Sequence, residues 1–307
     1  MARPQAADLG LSVLQNAFVL DERTHHPSPD AEVPVMSSDR AHVAANADRF
    51  SGFAELYDMH RPRLPEVIVD LLTQLAAKQR PVVVDLGSGT GLSTLLWTRR
   101  AAEVVGVEPN ADMRAQAERR AADASANTVR FVEGLSTATG LPDQCADIVT
   151  CSQSLHWMEP DGTFAEVARI LRDGGVFAAY DCDWPPTLNA EAEQAYNACR
   201  AKAEALERSI RLTPEVHQWN KGGHLERIRQ SGRFRYVKEI GLHHVERGGA
   251  ERLVGLALSQ GEIATLLKHG IGEDEIGITA LRETARRALG DSIVQWFWSY
   301  RLRMGVK

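Results

Sequence analysis

Apolar and polar positions follow two different rhythms along this chain. In its middle, short apolar runs rich in β-branched residues recur: PVVVDL (81–86), AEVVGVEP (102–109), TVRFVEG (128–134), ADIVTCSQS (146–154) and GVFAAYDCD (175–183). Each reads as a buried strand. Helical spacing fills the gaps. LPEVIVDLLTQLAAK (64–78) has Pro65 near its first position and Ile68, Leu71, Leu72 and Leu75 on one face. Leu92 to Ala102, Asp112 to Ala124 and FAEVARILR (164–172) follow, the last stopped by Asp173-Gly174-Gly175. Strands alternating with helices at this spacing predict crossover units and a parallel sheet covered on both faces.

After Asp183 the rhythm changes. LNAEAEQAYNACRAKAEALERSI (188–210) predicts a long helix with no strand behind it, and TPEVHQWNKGGHLERIRQSG (213–232) a second one, interrupted at Gly222-Gly223. FRYVKEIGLHHVER (234–247) and SIVQWFWSYRLRM (292–304) then alternate as late strands, with helical stretches such as TALRETARRALG (279–290) between them. The fold class is α/β, doubly wound, with a mostly parallel seven-stranded sheet. Four regions are expected: an N-terminal extension (1–48) with a short helix around Leu11 to Leu20, a ligand-binding core (49–186), a helical insertion that forms a lid with the extension (187–232), and the elements completing the sheet (233–307).

Composition narrows the partners. The 307 residues suffice for a sizeable core, and 44 % hydrophobic with 25 % charged residues is ordinary for a globular protein. A net charge of -6 argues against a surface built to hold nucleic acid. No run approaches the roughly 20 apolar residues a membrane span needs, and Asp8, Gln15 and Asn16 break the first stretch, which makes it a poor signal peptide. A cytoplasmic protein without a membrane partner is expected. Cys145, Cys151, Cys182 and Cys199 lack C-x-x-C spacing, so reduced, buried thiols are expected and no metal. The neighbours His25-His26 and His243-His244 make poor shared ligands, because adjacent strand residues face opposite ways.

The sharpest chemistry lies in VVVDLGSGTGLST (82–94). Gly87, Gly89 and Gly91 between a strand and a helix let backbone approach a nucleotide. Counting from Gly87, the sixth position is Leu92, so the dinucleotide spacing G-x-G-x-x-G fails, and no G-K-[ST] follows to make a P-loop. Asp85 would repel a pyrophosphate and favours a cation. Glu108 ends the next strand, about 20 residues on, where an acid receives ribose hydroxyls. A molecule that fits a ribose, no pyrophosphate and a positive charge near Asp85 is S-adenosylmethionine.

VVVDLGSGTG, GVEPNADM, GLSTATGLPDQCADIVTCSQSLHW and EVARILRDGGVFAAYDCDWPP, in that order, resemble the motif set of class I methyltransferases that use S-adenosylmethionine. FAELYDMHRPRLPE ahead of them resembles the Y-x-x-x-RP-x-x-P segment of the small-molecule subgroup that includes trans-aconitate methyltransferases. The resemblance covers roughly residues 50 to 186. It implies a Rossmann-like methyltransferase core, with S-adenosyl-L-methionine consumed and S-adenosyl-L-homocysteine released. By the same resemblance Asp85, Gly87, Ser88, Gly89 and Gly91 hold the methionine part, Glu108 the ribose, Pro109 and Met113 the adenine face, and Leu135, Ser136 and Thr137 the adenine edge, where many relatives have an acid. Ser152 and Gln153 lie near the methyl group, and Tyr57 with Arg61 resemble a contact to the methionine carboxylate.

His156 is the candidate general base, since neutral imidazole accepts a proton near pH 7; its alternative is a hydrogen bond to backbone. Trp157, Trp184 and Trp219 could form a platform for a flat or cationic acceptor, or sit in the core. Asp183 and Asp181 could orient an amine or serve as base, or be solvated strand ends. Arg227, Arg229, Arg233 and Arg235 read as a solvated face. DWPP (183–186) only superficially resembles the D-P-P-Y of nucleic-acid amino-methyltransferases, whose motif belongs where this chain has SQSL. The expected acceptor is a small molecule, with a lean toward C- or N-methylation of an aromatic or nitrogen-heterocyclic specialised metabolite. A carboxylate O-methyltransferase, pairing its substrate with Arg61, Arg200 or Arg211, and a non-catalytic S-adenosylmethionine-binding regulator are the alternatives. The chain is expected to be a monomer or homodimer.

Overall fold

The structure, a computed structural model, describes residues 58–212 and 216–307. The predicted N-terminal extension, its short helix, His25-His26 and Tyr57 lie outside the described residues.

The described chain runs α1 (Val67–Leu75), β1 (Val82–Leu86), β2 (Glu103–Val107), α2 (Ala111–Asp123), β3 (Val129–Val132), β4 (Ala146–Ser152), α3 (Pro160–Ile170), β5 (Leu171–Cys182), α4 (Ala190–Ile210), α5 (His224–Gln230), β6 (Tyr236–Gly248), α6 (Ala250–Leu258), α7 (Gly261–Lys268), α8 (Glu273–Ile276), α9 (Ile278–Leu289) and β7 (Val294–Val306). The strands form one seven-stranded sheet in the order β3-β2-β1-β4-β5-β7-β6. The first five are parallel, and β7 runs antiparallel to both neighbours. A doubly wound, mostly parallel sheet is therefore what the rhythm foretold.

Period-two alternation divides the sheet's side chains between two cores. Val83, Val104, Ile148 and Val176 pack with Ile68 and Leu72 of α1 on one face. Val84, Val105, Val149 and Phe177 pack with Phe164 and Val167 of α3 on the other. A third cluster joins α4, α6 and α9 to Trp296, Trp298 and Tyr300 of β7. The strand order reverses at β1, so the carboxyl ends of β1 and β4 open the crevice where ligands of such sheets bind.

Two elements differ from expectation. The helix predicted over Leu92 to Ala102 is a single 3-10 turn, Thr94–Trp97. Thr94 turns inward to bond Asp85 and Trp97 is buried, so these side chains are spent on the core beneath the glycine loop. The Asp173-Gly174-Gly175 stop lies inside β5, which starts directly after α3 and shifts register against β4 between Ala146 and Ile148. Cys151, Cys182 and Cys199 are buried thiols, and Cys145 is half-buried. Among the described residues no helix is long and apolar enough to cross a membrane.

Candidate active site

The glycine loop leaves β1 and is tied at once to β2: the amides of Gly87 and Ser88 donate to Val107 O at 2.9 and 3.2 Å. Gly87, Gly89 and Gly91 have φ of 64°, 55° and 81°, a region L side chains disfavour. Their surroundings differ. A Cβ on Gly87 would lie 2.7 Å from Ser154 Cβ, and one on Gly91 3.0 Å from Phe131 Cζ, whereas one on Gly89 would meet nothing within 4 Å. Gly89 thus presents bare backbone to open space, the cradle a close-fitting ligand requires.

Two acids frame the loop. Glu108, after β2, accepts from Gly89 N through Oε2 and from Asn110 N through Oε1, both at 2.9 Å. Burial raises its pKa above the ordinary carboxylate value. Asp85 is wholly buried, with Thr150 Oγ1 on Oδ1 and Thr94 Oγ1 on Oδ2, each at 2.7 Å. Burial lifts its pKa to about 6, against the opposing hydrogen bonds. Asp85 therefore braces the glycine loop from beneath through Thr94 and Thr150.

On the flank, Asn110 caps α2 by accepting from Met113 N at 2.9 Å. Pro109 is half-buried and Met113 buried. Leu135 bridges to Ala138, Ser136 Oγ shares a 2.9 Å hydrogen bond with Thr163, and Thr137 is half-buried.

Beyond β4 a cavity of about 660 Å³ gathers Arg61, Gln153, His156, Trp157, Asp183, Trp184 and Trp219, seven residues singled out from sequence. Ser152, the last residue of β4, is half-buried. Gln153 has φ of 54° and donates Nε2–H to Cys182 Sγ. Arg61 lies over the Trp184 ring, 4.8 Å from its centroid, and donates to Ser259 O at 2.9 Å.

Residues 84–179 match the methyltransferase-domain family. With the strand order and the acid-flanked glycine loop, that match decides the identity of the core. Residues 84–179 are a class I methyltransferase domain. An uncharacterized methyltransferase of Mycobacterium tuberculosis is 34 % identical over 128 residues, 41 % of this chain and 49 % of that relative. The trans-aconitate 2-methyltransferase of Afipia carboxidovorans is 34 % identical over 112 residues, 36 % of this chain and 41 % of its own length. The chain thus matches about half the length of these curated relatives or less. A solved structure from Anaeromyxobacter dehalogenans, assigned to the type II methyltransferases, shares the fold with a TM-score of 0.58, at 22 % identity over 80 % of this chain and 97 % of that one.

The methyltransferase domain carries its candidate base just past β4, in the 3-10 turn Leu155–Trp157. The His156 ring is buried, and burial together with the nearby Lys221, His224 and Arg61 holds its pKa well below the ordinary 6.5. His156 is thus neutral at physiological pH. Asp181 is buried, while Asp183 is exposed and pairs with Arg301 at 3.3 Å. Arg229, Arg233 and Arg235 face solvent as expected, but Arg227 bonds Asn220 O and stands over Trp219.

Several site residues escaped the sequence reading. Glu262 of α7 and Glu204 of α4 hold Arg200, the arginine already named for a carboxylate acceptor, at 2.7 and 2.9 Å, and all three line the cavity. Arg211 is not among the lining residues; it caps α4 in the left-handed conformation. Thr90 of the glycine loop donates to Asp58 Oδ1 at 2.6 Å, and Arg120 of α2 pairs with the same carboxylate. Arg114 donates to Glu108 O at 2.7 Å, holding the second acid's backbone. Thr90 and Asp58 lie within the quoted motifs, whereas the others stand in none and come from α2, α4 and α7.

Proposed function

We propose that this chain transfers a methyl group from S-adenosylmethionine to a small acceptor with a flat aromatic or nitrogen-heterocyclic body, at carbon or nitrogen. The observation that carries the reading is the convergence of Trp157, Trp184 and Trp219 with His156 on one cavity, directly past β4 and beside the strand that bears the glycine loop. Aromatic walls favour a flat or cationic guest. For the cofactor, the open face of Gly89 and the buried carboxylate of Glu108 form a fitting cradle, with Pro109 and Met113 beside it. When bound, S-adenosylmethionine supplies an activated methyl carbon on a sulfonium and leaves as a neutral thioether. The chain's task is then alignment, worth many orders of magnitude in rate, and removal of the acceptor's proton by His156. Residues 187–232 act as a lid in this reading, because α4 and the segment Gln218 to Lys221 wall the cavity.

A carboxylate acceptor of the trans-aconitate kind has one observation in its favour: Arg61 and Arg200 both line the cavity. Against it, Arg200 already carries two carboxylates. The test is transfer of labelled methyl from S-adenosylmethionine to a panel of aromatic amines, phenols, N-heterocycles and polycarboxylic acids. Turnover confined to the acids would replace the aromatic reading. Cofactor binding without turnover on any acceptor, fractionated extract included, would leave a regulatory binder.

A further inference from the structure

His156 Nδ1 is buried and has no hydrogen-bond partner among the described residues. It lies 3.7 Å from Asp181 Oδ1, slightly beyond a direct hydrogen bond. Contacts of this kind in ligand-free sites commonly tighten once the reactants are bound.

The neighbours of the ring restrict what this nitrogen can do. Charged and titratable groups facing His156 come from every element packed around it: Asp181 of β5, Lys221, His224 of α5 and Arg61. Lys221 and Arg61 only donate. His224 Nδ1 lies 2.8 Å from the Arg227 guanidinium, which also only donates, so Nδ1 of His224 accepts and its proton resides on Nε2. Asp181 is then the one group of this set able to receive an N–H from His156. Its carboxylate is fixed in place, with Arg303 at 3.1 Å on Oδ2 and Lys221 at 3.0 Å on Oδ1.

We propose that Asp181 is a positioning residue that fixes His156 as the Nδ1–H tautomer, leaving the lone pair on Nε2 for the acceptor cavity. The inference deepens the reading of His156 as base and rests on it for its catalytic consequence. An acceptor's proton, shed as the acceptor attacks the methyl carbon, would land on Nε2, and the resulting imidazolium would face a carboxylate already in place. A triad carboxylate orients its imidazole by the same logic. Lys221 is itself part of the cavity wall, so its pairing with Asp181 also ties that wall to the base.

The tautomer can be read without any acceptor. The experiment is nitrogen-15 NMR of the full chain with labelled histidine, His156 being assigned by its loss in His156→Gln. The expected result is a protonated Nδ1 and an unprotonated Nε2 in the wild type, shifting toward Nε2–H in Asp181→Asn, whose amide donates instead. A wild-type His156 protonated on Nε2, as would follow if Lys221 donated to Nδ1, overturns the proposal without recourse to any variant. An unchanged tautomer in a folded Asp181→Asn overturns it equally. Once an acceptor is known, Asp181→Asn should lower kcat by about 100-fold with KM nearly unchanged. If His156→Gln kept full kcat, the base reading would fail separately, whatever the tautomer.

Discussion

Thr150 and Asp85 face each other across the β1–β4 pair and share a 2.7 Å hydrogen bond in a place from which water is excluded. Such a carboxylate is costly when charged, which is why its pKa rises to about 6 from the usual 3.8. Folded Asp85 therefore holds its proton at higher pH than unfolded Asp85 does. Its contribution to stability is fully present below the unfolded value and is lost as pH rises through the folded one. Taken from pH 7 to pH 5, the wild type should gain about 1 kcal/mol relative to Asp85→Asn. Thermal melts of both proteins at the two pH values check this; parallel shifts would refute it.

Two of the loop glycines, Gly87 and Gly89, should respond differently to alanine. Gly87→Ala combines positive φ with a collision against Ser154 and should cost about 2 kcal/mol or more of stability. Gly89→Ala has room in the ligand-free protein and should cost about 1 kcal/mol, while cofactor binding falls at least tenfold. Denaturant unfolding beside titration calorimetry separates the two effects.

Glu108 joins the glycine loop to the start of α2 through two backbone amides. Glu108→Gln keeps the shape but replaces charge-assisted hydrogen bonds, so affinity for S-adenosylmethionine should drop about 10- to 100-fold. Calorimetry measures it. Equal affinity would mean that this acid serves the loop alone.

Because the His156 pKa is held well below 6.5, the imidazole stays in its proton-accepting form as pH falls from 8 to 6.5. Rate under acceptor saturation should be flat over that interval, without the break near 6.5 of an exposed histidine. His156→Gln should lose about 100- to 10,000-fold in kcat. A pH–rate profile for each protein is the measurement.

The cofactor side was legible because its parts are contiguous: a buried β-branched strand, three glycines and an acid at the end of the next strand form short motifs whose context periodicity supplies. The acceptor side was legible through scattered single residues, His156, the tryptophans, Arg61, Gln153 and Asp183, and through no contiguous motif. Glu204 and Glu262 belong to α4 and α7, and charges on helices read as solvent-facing until those helices are seen to close on each other. The helix expected over Leu92 to Ala102 failed for a related reason. Thr94 bonds a carboxylate at Asp85, and local propensity contains no hint of that partner. Of the two readings open for Asp181, the solvated strand end is the one its burial excludes; sequence could not choose because its cations, Lys221 and Arg303, arrive from distant segments.

Strand β7 occupies an interior slot, paired with β5 on one side and β6 on the other. Its partners on β5 lie more than a hundred residues earlier in sequence, so this pairing closes a very long loop before it gains any contact. The five parallel strands can assemble around β1 from nearer neighbours, whereas Asp181 meets Arg303 only when β7 docks. Folding speed should be set by that late, non-local event, and the candidate base acquires its complete surroundings in the same step.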